Sequence, residues 1–111
     1  MPKTDLLQGT LDLLILKILA LGPNHGWGIA NRLRQISREG LSASQGSLYP
    51  ALHRLIKRGW IAFDDGTSDN NRRAKFYYLT PKGRKQLAIE TSRWDKLAGA
   101  IARILRPAAQ E

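Results

Sequence analysis

Ser44-Gln45-Gly46-Ser47-Leu48-Tyr49-Pro50-Ala51-Leu52-His53-Arg54-Leu55-Ile56-Lys57-Arg58-Gly59 is the stretch that decides how this chain folds. Leu48, Leu52, Leu55 and Ile56 recur at helical spacing and form an apolar stripe that demands burial. Gln45, Tyr49, His53, Arg54, Lys57 and Arg58 lie off that stripe. Their amide, phenol, imidazole and cationic groups are the chemistry that meets phosphates and base edges. Ser44 or Ser47 caps the start, and Gly59 stops the helix. Pro50 is tolerable only near the start, because deeper in a helix it removes a backbone bond. The first helical residue therefore falls between Gln45 and Ser47, with free backbone N–H groups aimed at any anion lying there. Taken alone, the stretch reads equally well as a solvated amphipathic helix with incidental charge. Its neighbours separate the two readings.

Downstream the period changes. Trp60–Asp64 is short and β-prone, Asp65–Asn71 is a polar turn, and Lys75–Thr80 is a second β-prone run. Lys75, Tyr77 and Leu79 fall on one face of that run, Phe76 and Tyr78 on the other. The pair predicts a hairpin whose loose tip carries Arg72 and Arg73, a wing beside a basic helix; the plain alternative is a loop with solvated cations. Upstream, Pro23–Gly26 is turn chemistry and Gly26–Ser37 a second helix, with Ile29, Ala30, Leu33 and Ile36 facing inward. Trp27, between two glycines, reads as a core or interface aromatic, with a ligand contact as the alternative. Helix, short link Arg38–Ala43, basic helix is a helix-turn-helix pattern.

A first helix is capped by Asp5, with Gln8 three residues on, includes Leu6 and Leu7, and ends near Leu21 at Gly22-Pro23. From Leu13 its apolar residues wrap most of the circumference, which implies burial on more than one side. A second chain is the simplest cover and would take Leu11 and Ile15; a central helix in a monomer is the alternative. Gly9 inside this helix costs about 1 kcal/mol against alanine, and close approach by another element would explain it. The last helix opens on the Thr80 cap and Pro81, runs to about Leu105 and stops at Pro107, with Ala108–Glu111 frayed. Leu87, Trp94 and Ile101 are seven apart, and Leu97 and Ile104 repeat that offset on the neighbouring seam. Roughly 38 Å of helix is longer than a small domain needs, so this one projects and seeks a partner, unless it packs back on its own core.

Composition narrows the function. The 111 residues are enough for one domain, and the formal net charge of +9 attracts polyanions, nucleic acid or an acidic membrane surface. The stretch 44–59 holds three cations and no acid, and Arg72, Arg73 and Lys75 cluster after Asp64, Asp65 and Asp69. No cysteine is present, so disulfides, thiolate zinc and cysteine nucleophiles are excluded, and a reducing cytoplasm fits. The opening Met1–Asp5 lacks a signal-peptide signature, and the longest apolar run, Leu13–Leu21, is broken by Lys17 and too short to span a bilayer. His25 and His53 have no carboxylate at fixed spacing, and no phosphate loop or nucleophile elbow is found. The expectation is no enzyme, no metal and no cofactor.

Four stretches resemble the PadR family of bacterial transcriptional regulators: Leu7–Leu16, His25–Ile29, Gln45–Leu52, and Lys75–Thr80 with Gly83. Gly59-Trp60-Ile61, the wing Asn70–Ala74 and the tail Trp94–Leu105 look most like its short, acidobacterial-type subgroup. The resemblance implies a mainly α fold with a small β-hairpin, a winged helix-turn-helix over 1–80 and a long C-terminal dimerisation helix over 81–111. It implies a homodimer on palindromic double-stranded operator DNA, usually repressing. The expected DNA contacts are Ser44, Gln45, Ser47, Tyr49, His53, Arg54, Lys57, Arg72, Arg73 and Lys75. The expected dimer contacts are Leu11, Ile15, Leu87, Trp94, Leu97, Ile101 and Ile104. Some members respond to small phenolic or drug-like molecules. Here a small aromatic effector would sit at Trp94, where symmetry would bring two indoles together, with Trp27 as a second candidate contact; interface packing is the alternative for Trp94. This chain carries Trp27 where the family commonly has Tyr. A winged-helix module that binds protein or RNA remains the other class of function.

Overall fold

The computed structural model describes residues 8–106, in the order α1 (Gln8–Ala20), α2 (Gly26–Ile36), α3 (Gln45–Lys57), β1 (Ile61–Thr67), β2 (Arg73–Leu79) and α4 (Pro81–Leu105). It is mainly helical with one antiparallel hairpin, as expected. The Asp5 cap, Leu6, Leu7, the Pro107 stop and the Ala108–Glu111 end lie outside the described residues.

The apolar girdle of α1 is covered by the chain itself. α2, α3, α4 and β2 all pack against it, and Leu11 and Ile15 are 2% and 1% exposed. This corrects the assignment of those two residues to a dimer interface: they have no surface left for a partner. The helix is the centre of the domain, the alternative that its pattern left open. Among the described residues no atom of another element approaches within 4 Å of a Cβ placed on Gly9, so packing against them does not account for that glycine.

Helix α3 starts at Gln45 with Ser44 as its cap, the Ser44 hydroxyl accepting the Ser47 N–H at 3.2 Å. Leu48, Ala51, Leu52 and Leu55 are buried, each leucine contributing about 1.5–3 kcal/mol on leaving water. Pro50 sits deeper than the first turn and leaves the Gly46 carbonyl without its helical donor. Gly59 ends the segment at φ +76°, where its N–H reaches the Ile56 carbonyl at 2.9 Å and the Trp60 N–H reaches Leu55 at 3.1 Å.

In α2 the inner face is Ile29 and Leu33, with Ala30 half-buried against the core. Ile36, expected inside, is 56% exposed. The helix ends there, and the chain turns through Arg38 and Glu39 at positive φ, so its last residue overruns the core.

The hairpin is longer than its composition implies. Pairing runs from Ile61 opposite Leu79 to Thr67 opposite Arg73, so Asp64, Asp65 and Gly66 are strand residues despite their low β propensity. The tip shrinks to Ser68–Arg72, closed by Ser68 N–H to the Arg72 carbonyl at 2.8 Å. Arg73 therefore lies in β2, not in the tip. Asn24, read as turn, exchanges two backbone hydrogen bonds with Tyr77, at 3.0 and 2.8 Å, and pins the wing to the start of α2.

Thr80 caps α4 by accepting the Gly83 N–H at 3.0 Å, and its hydroxyl donates to the Gly59 carbonyl at 2.7 Å. Gly83 is buried where a Cβ would collide with the Trp60 carbonyl oxygen, so α4 rests directly on the end of the α3–β1 link. Leu87, at the root of the helix, is half-buried against the chain's own core. Beyond that root the helix projects: the radius of gyration is 16.0 Å, against about 13 Å for a compact chain of this length.

Candidate nucleic-acid interface

Burial of Leu48, Leu52 and Leu55 sets which side of α3 remains outside. Ser44, Gln45, Tyr49, His53 and Lys57 are exposed, and Ser47 is half-buried. These six expected contacts share an accessible surface. Arg54 does not join them. It turns inward to Asp12 of α1, Nη2 to Oδ1 at 2.9 Å, with side chains 28% and 9% exposed. This corrects its assignment as a DNA contact: its charge is committed to holding α3 on α1. Arg58 lies 5.0 Å over the Trp60 ring, which leaves Lys57 as the freer cation at the end of α3.

On the wing, Arg72, Arg73 and Lys75 are all exposed. The Lys75 ammonium sits 4.6 Å from the Phe63 ring centroid, opposite Asp65 in the ladder. Among the described residues no ion pair engages Arg72 or Arg73. Together with the α3 surface they give one basic face with two unlike parts, a polar helix and a cationic tip.

Between those parts runs an open groove of about 670 Å³. Its walls include His25, Trp27 and Tyr49 on the helical side and Asp69, Arg72 and Arg73 on the wing. Trp27 is 65% exposed, which removes the core half of its core-or-interface reading. Its ring stacks on His25 with centroids 6.1 Å apart, and His25 meets Phe76 edge-on at 5.4 Å. His25 also caps α2, its Nδ1 accepting the Gly28 N–H at 2.9 Å. Nothing in the residue types singled out His25 for that role, since Asn24 beside it is the commoner capping side chain. A Cβ on Gly26 would sit 2.6 Å from the Tyr49 hydroxyl, so the starts of α2 and α3 meet at that glycine. Burial pushes the Tyr77 phenol above its ordinary value, and Tyr49 adds to the shift.

Trp94, placed beside Trp27 as an effector contact, lies on α4 and takes no part in this groove. With Leu97, Ile101 and Ile104 it forms an exposed apolar seam along the projecting helix. Among the described residues no group of three His, Asp or Glu side chains gathers to hold a metal, and no helix is long and apolar enough to cross a membrane.

Residues 15–89 match the family described as transcriptional regulator PadR-like. The structure is similar to that of a transcriptional regulator from Clostridium thermocellum, with TM-score 0.82 and 26% identity, over 96% of this chain and 100% of that one. It is also similar to Bacillus subtilis PadR in complex with operator DNA, with TM-score 0.64 and 28% identity, over 71% of this chain and 46% of that one. A transcriptional regulator of Mycobacterium tuberculosis is 35% identical over 68 residues, 61% of this chain and 63% of that protein.

Proposed function

The chain belongs to the transcriptional regulator PadR-like family, and from that premise we propose that it is a homodimeric repressor binding a palindromic DNA operator in the cytoplasm. Residues 1–80 act as the DNA-reading unit and 81–111 as the dimerisation helix. The observation that carries the reading is the pairing of an exposed polar α3 with a wing whose arginines have no ion-pair partner among the described residues. α3 enters the major groove, where Gln45, Ser47, Tyr49 and His53 reach base edges and Lys57 a phosphate. The wing lays Arg72, Arg73 and Lys75 along the flanking backbone.

Two copies joined through Trp94, Leu97, Ile101 and Ile104 would present two such faces related by a two-fold axis, which is why the operator is a palindrome. Repression follows where that site overlaps a promoter. A planar aromatic guest between the two Trp94 side chains would shift the spacing of the halves and so the affinity for DNA.

The test is footprinting of the purified protein on the DNA upstream of its own coding region, beside titration of duplex DNA and duplex RNA at one salt concentration. Two protected half-sites about one helical turn apart, and preference for DNA, are the expected result. Equal or tighter binding to RNA, or no protected site, overturns the reading.

A further inference from the structure

We infer that the groove between the start of α2 and the wing seats one sugar–phosphate strand of the bound duplex, with the Trp27 indole packed on a deoxyribose and Arg72 and Arg73 on its phosphates. This rests on the DNA-binding reading and adds α2 to the parts of the chain that touch DNA.

Trp27 carries the inference first. A tryptophan that is 65% exposed, at the first turn of a helix whose Ile29 and Leu33 are buried, contributes nothing to the core. Its one aromatic neighbour among the described residues is His25. An apolar surface of this kind at the edge of a cationic trough is read as a contact surface. The backbone beneath it is held close to its neighbours: a Cβ on Gly26 would meet the Tyr49 hydroxyl, and one on Gly28 would collide with the Asn24 side chain. The root of the indole is therefore fixed between α3 and the Asn24–Tyr77 bridge.

Charge selects the occupant. The wing wall of the trough carries two guanidinium groups, Arg72 and Arg73, and one carboxylate, Asp69, which leaves that wall net positive. The trough is open rather than enclosed, so it suits a polymer passing through more than a small molecule held inside. Tyr49 belongs both to its wall and to the exposed side of α3. Whatever lies in the trough is thus contiguous with what α3 touches. For a duplex whose major groove takes α3, that neighbour is the bordering backbone strand. Deoxyribose is the apolar part of that strand, and phosphate the anionic part, matching the indole and the guanidinium groups in turn.

The test measures binding of the parent, Trp27→Ala, Trp27→Phe and Arg72→Ala to a duplex from the chain's own upstream region and to a shuffled duplex, across a salt series. Trp27→Ala is expected to weaken both duplexes roughly tenfold with an unchanged salt slope, because a sugar contact releases no counterion. Trp27→Phe should recover most of that loss. Arg72→Ala should instead flatten the slope by about one. In parallel, the tryptophan emission change on adding duplex should be smaller in Trp27→Phe than in the parent, a readout that stands even if Trp27→Ala folds poorly. Parent-like affinity in Trp27→Ala, or an emission change undiminished in Trp27→Phe, overturns the inference while DNA binding by the parent leaves the wider reading intact. A parent that binds no duplex removes that wider reading and this inference with it.

Discussion

Arg54 of α3 reaches Asp12 of α1 across 42 positions of sequence, its Nη2 2.9 Å from the carboxylate Oδ1. The carboxylate is nearly buried, and the guanidinium Nε is buried with no hydrogen-bond partner among the described residues. One nitrogen is thus satisfied at the expense of another, so the pair fixes the seat of α3 more than it adds stability. A buried charge left alone costs more than the intact pair contributes.

Arg54→Ala should therefore destabilise the fold by roughly 2–3 kcal/mol, below the range of about 3–5 kcal/mol for a fully buried pair because Arg54 keeps some solvent contact. Replacing both partners, Asp12→Leu with Arg54→Met, should recover most of that loss. Denaturant unfolding of the three variants checks this. A loss under about 0.5 kcal/mol for Arg54→Ala would mean that the pair behaves as a surface ion pair.

Local chemistry made much of this architecture legible. The Ser44 cap, the Gly59 stop and the Thr80-Pro81 start are each settled within about four residues, and the helix ends fall at them. Arg54 could not be separated from Lys57 in this way, since both lie off the apolar stripe and the acid that takes Arg54 is on another helix. Leu11 and Ile15 illustrate the same gap: an all-round apolar helix is satisfied equally by its own chain or by another, and only tertiary packing decides. Asp65-Gly66-Thr67 has turn composition, but the hydrogen-bond ladder with Arg73–Lys75 carries it as strand. Trp27 between two glycines leaves core and interface equally open, and only its 65% exposure in the folded chain removes the core alternative.

DNA affinity should be steep in salt. If a dimer neutralises roughly six to ten phosphates, binding should weaken by about 10³–10⁵ between roughly 50 and 200 mM salt. Titrations at four or more salt concentrations give the slope, and a flat response would sink the DNA reading. Arg54→Ala, measured at a temperature where it is folded, should leave this slope unchanged because its charge belongs to Asp12.

Base reading and backbone holding should separate by mutation. Arg73→Ala is expected to weaken operator and random duplex about equally. Ser47→Ala and Tyr49→Ala should cost more on the operator than on random DNA, by about 1–3 kcal/mol for a base contact. Equal losses from both groups would show that α3 does not read the bases.

Alkaline stability should depend on Tyr77. Its phenol is raised above 10.0 by burial, with Tyr49 adding to the shift. The folded chain holds that proton more tightly than the unfolded chain. The contribution is therefore present in full below pH 10.0 and is lost as pH rises through the raised value. Unfolding free energy should fall as pH rises from 10.0 through the raised value, and Tyr77→Phe should flatten the fall. An identical alkaline slope in the variant would assign the effect to other groups.

The seam of α4 should hold two chains together. Trp94, Leu97, Ile101 and Ile104 follow one another at steps of three, four and three, the spacing that keeps one stripe facing a partner helix. All four are exposed, Ile104 at 78%, and Leu87 at the root already packs on the chain's own core. The stripe thus begins where the core ends. Leu97→Asp or Ile101→Asp places a carboxylate in the seam, which is costly in a dry interface unless it is paired. Neither residue belongs to the core, so each variant should keep its helical content while sedimenting at half the parent's mass at micromolar protein. Operator affinity should drop with it, because two half-sites would no longer be bound as one unit. A variant that sediments with the parent would refute this seam, and one that loses its helices would show that α4 serves the fold of its own chain instead.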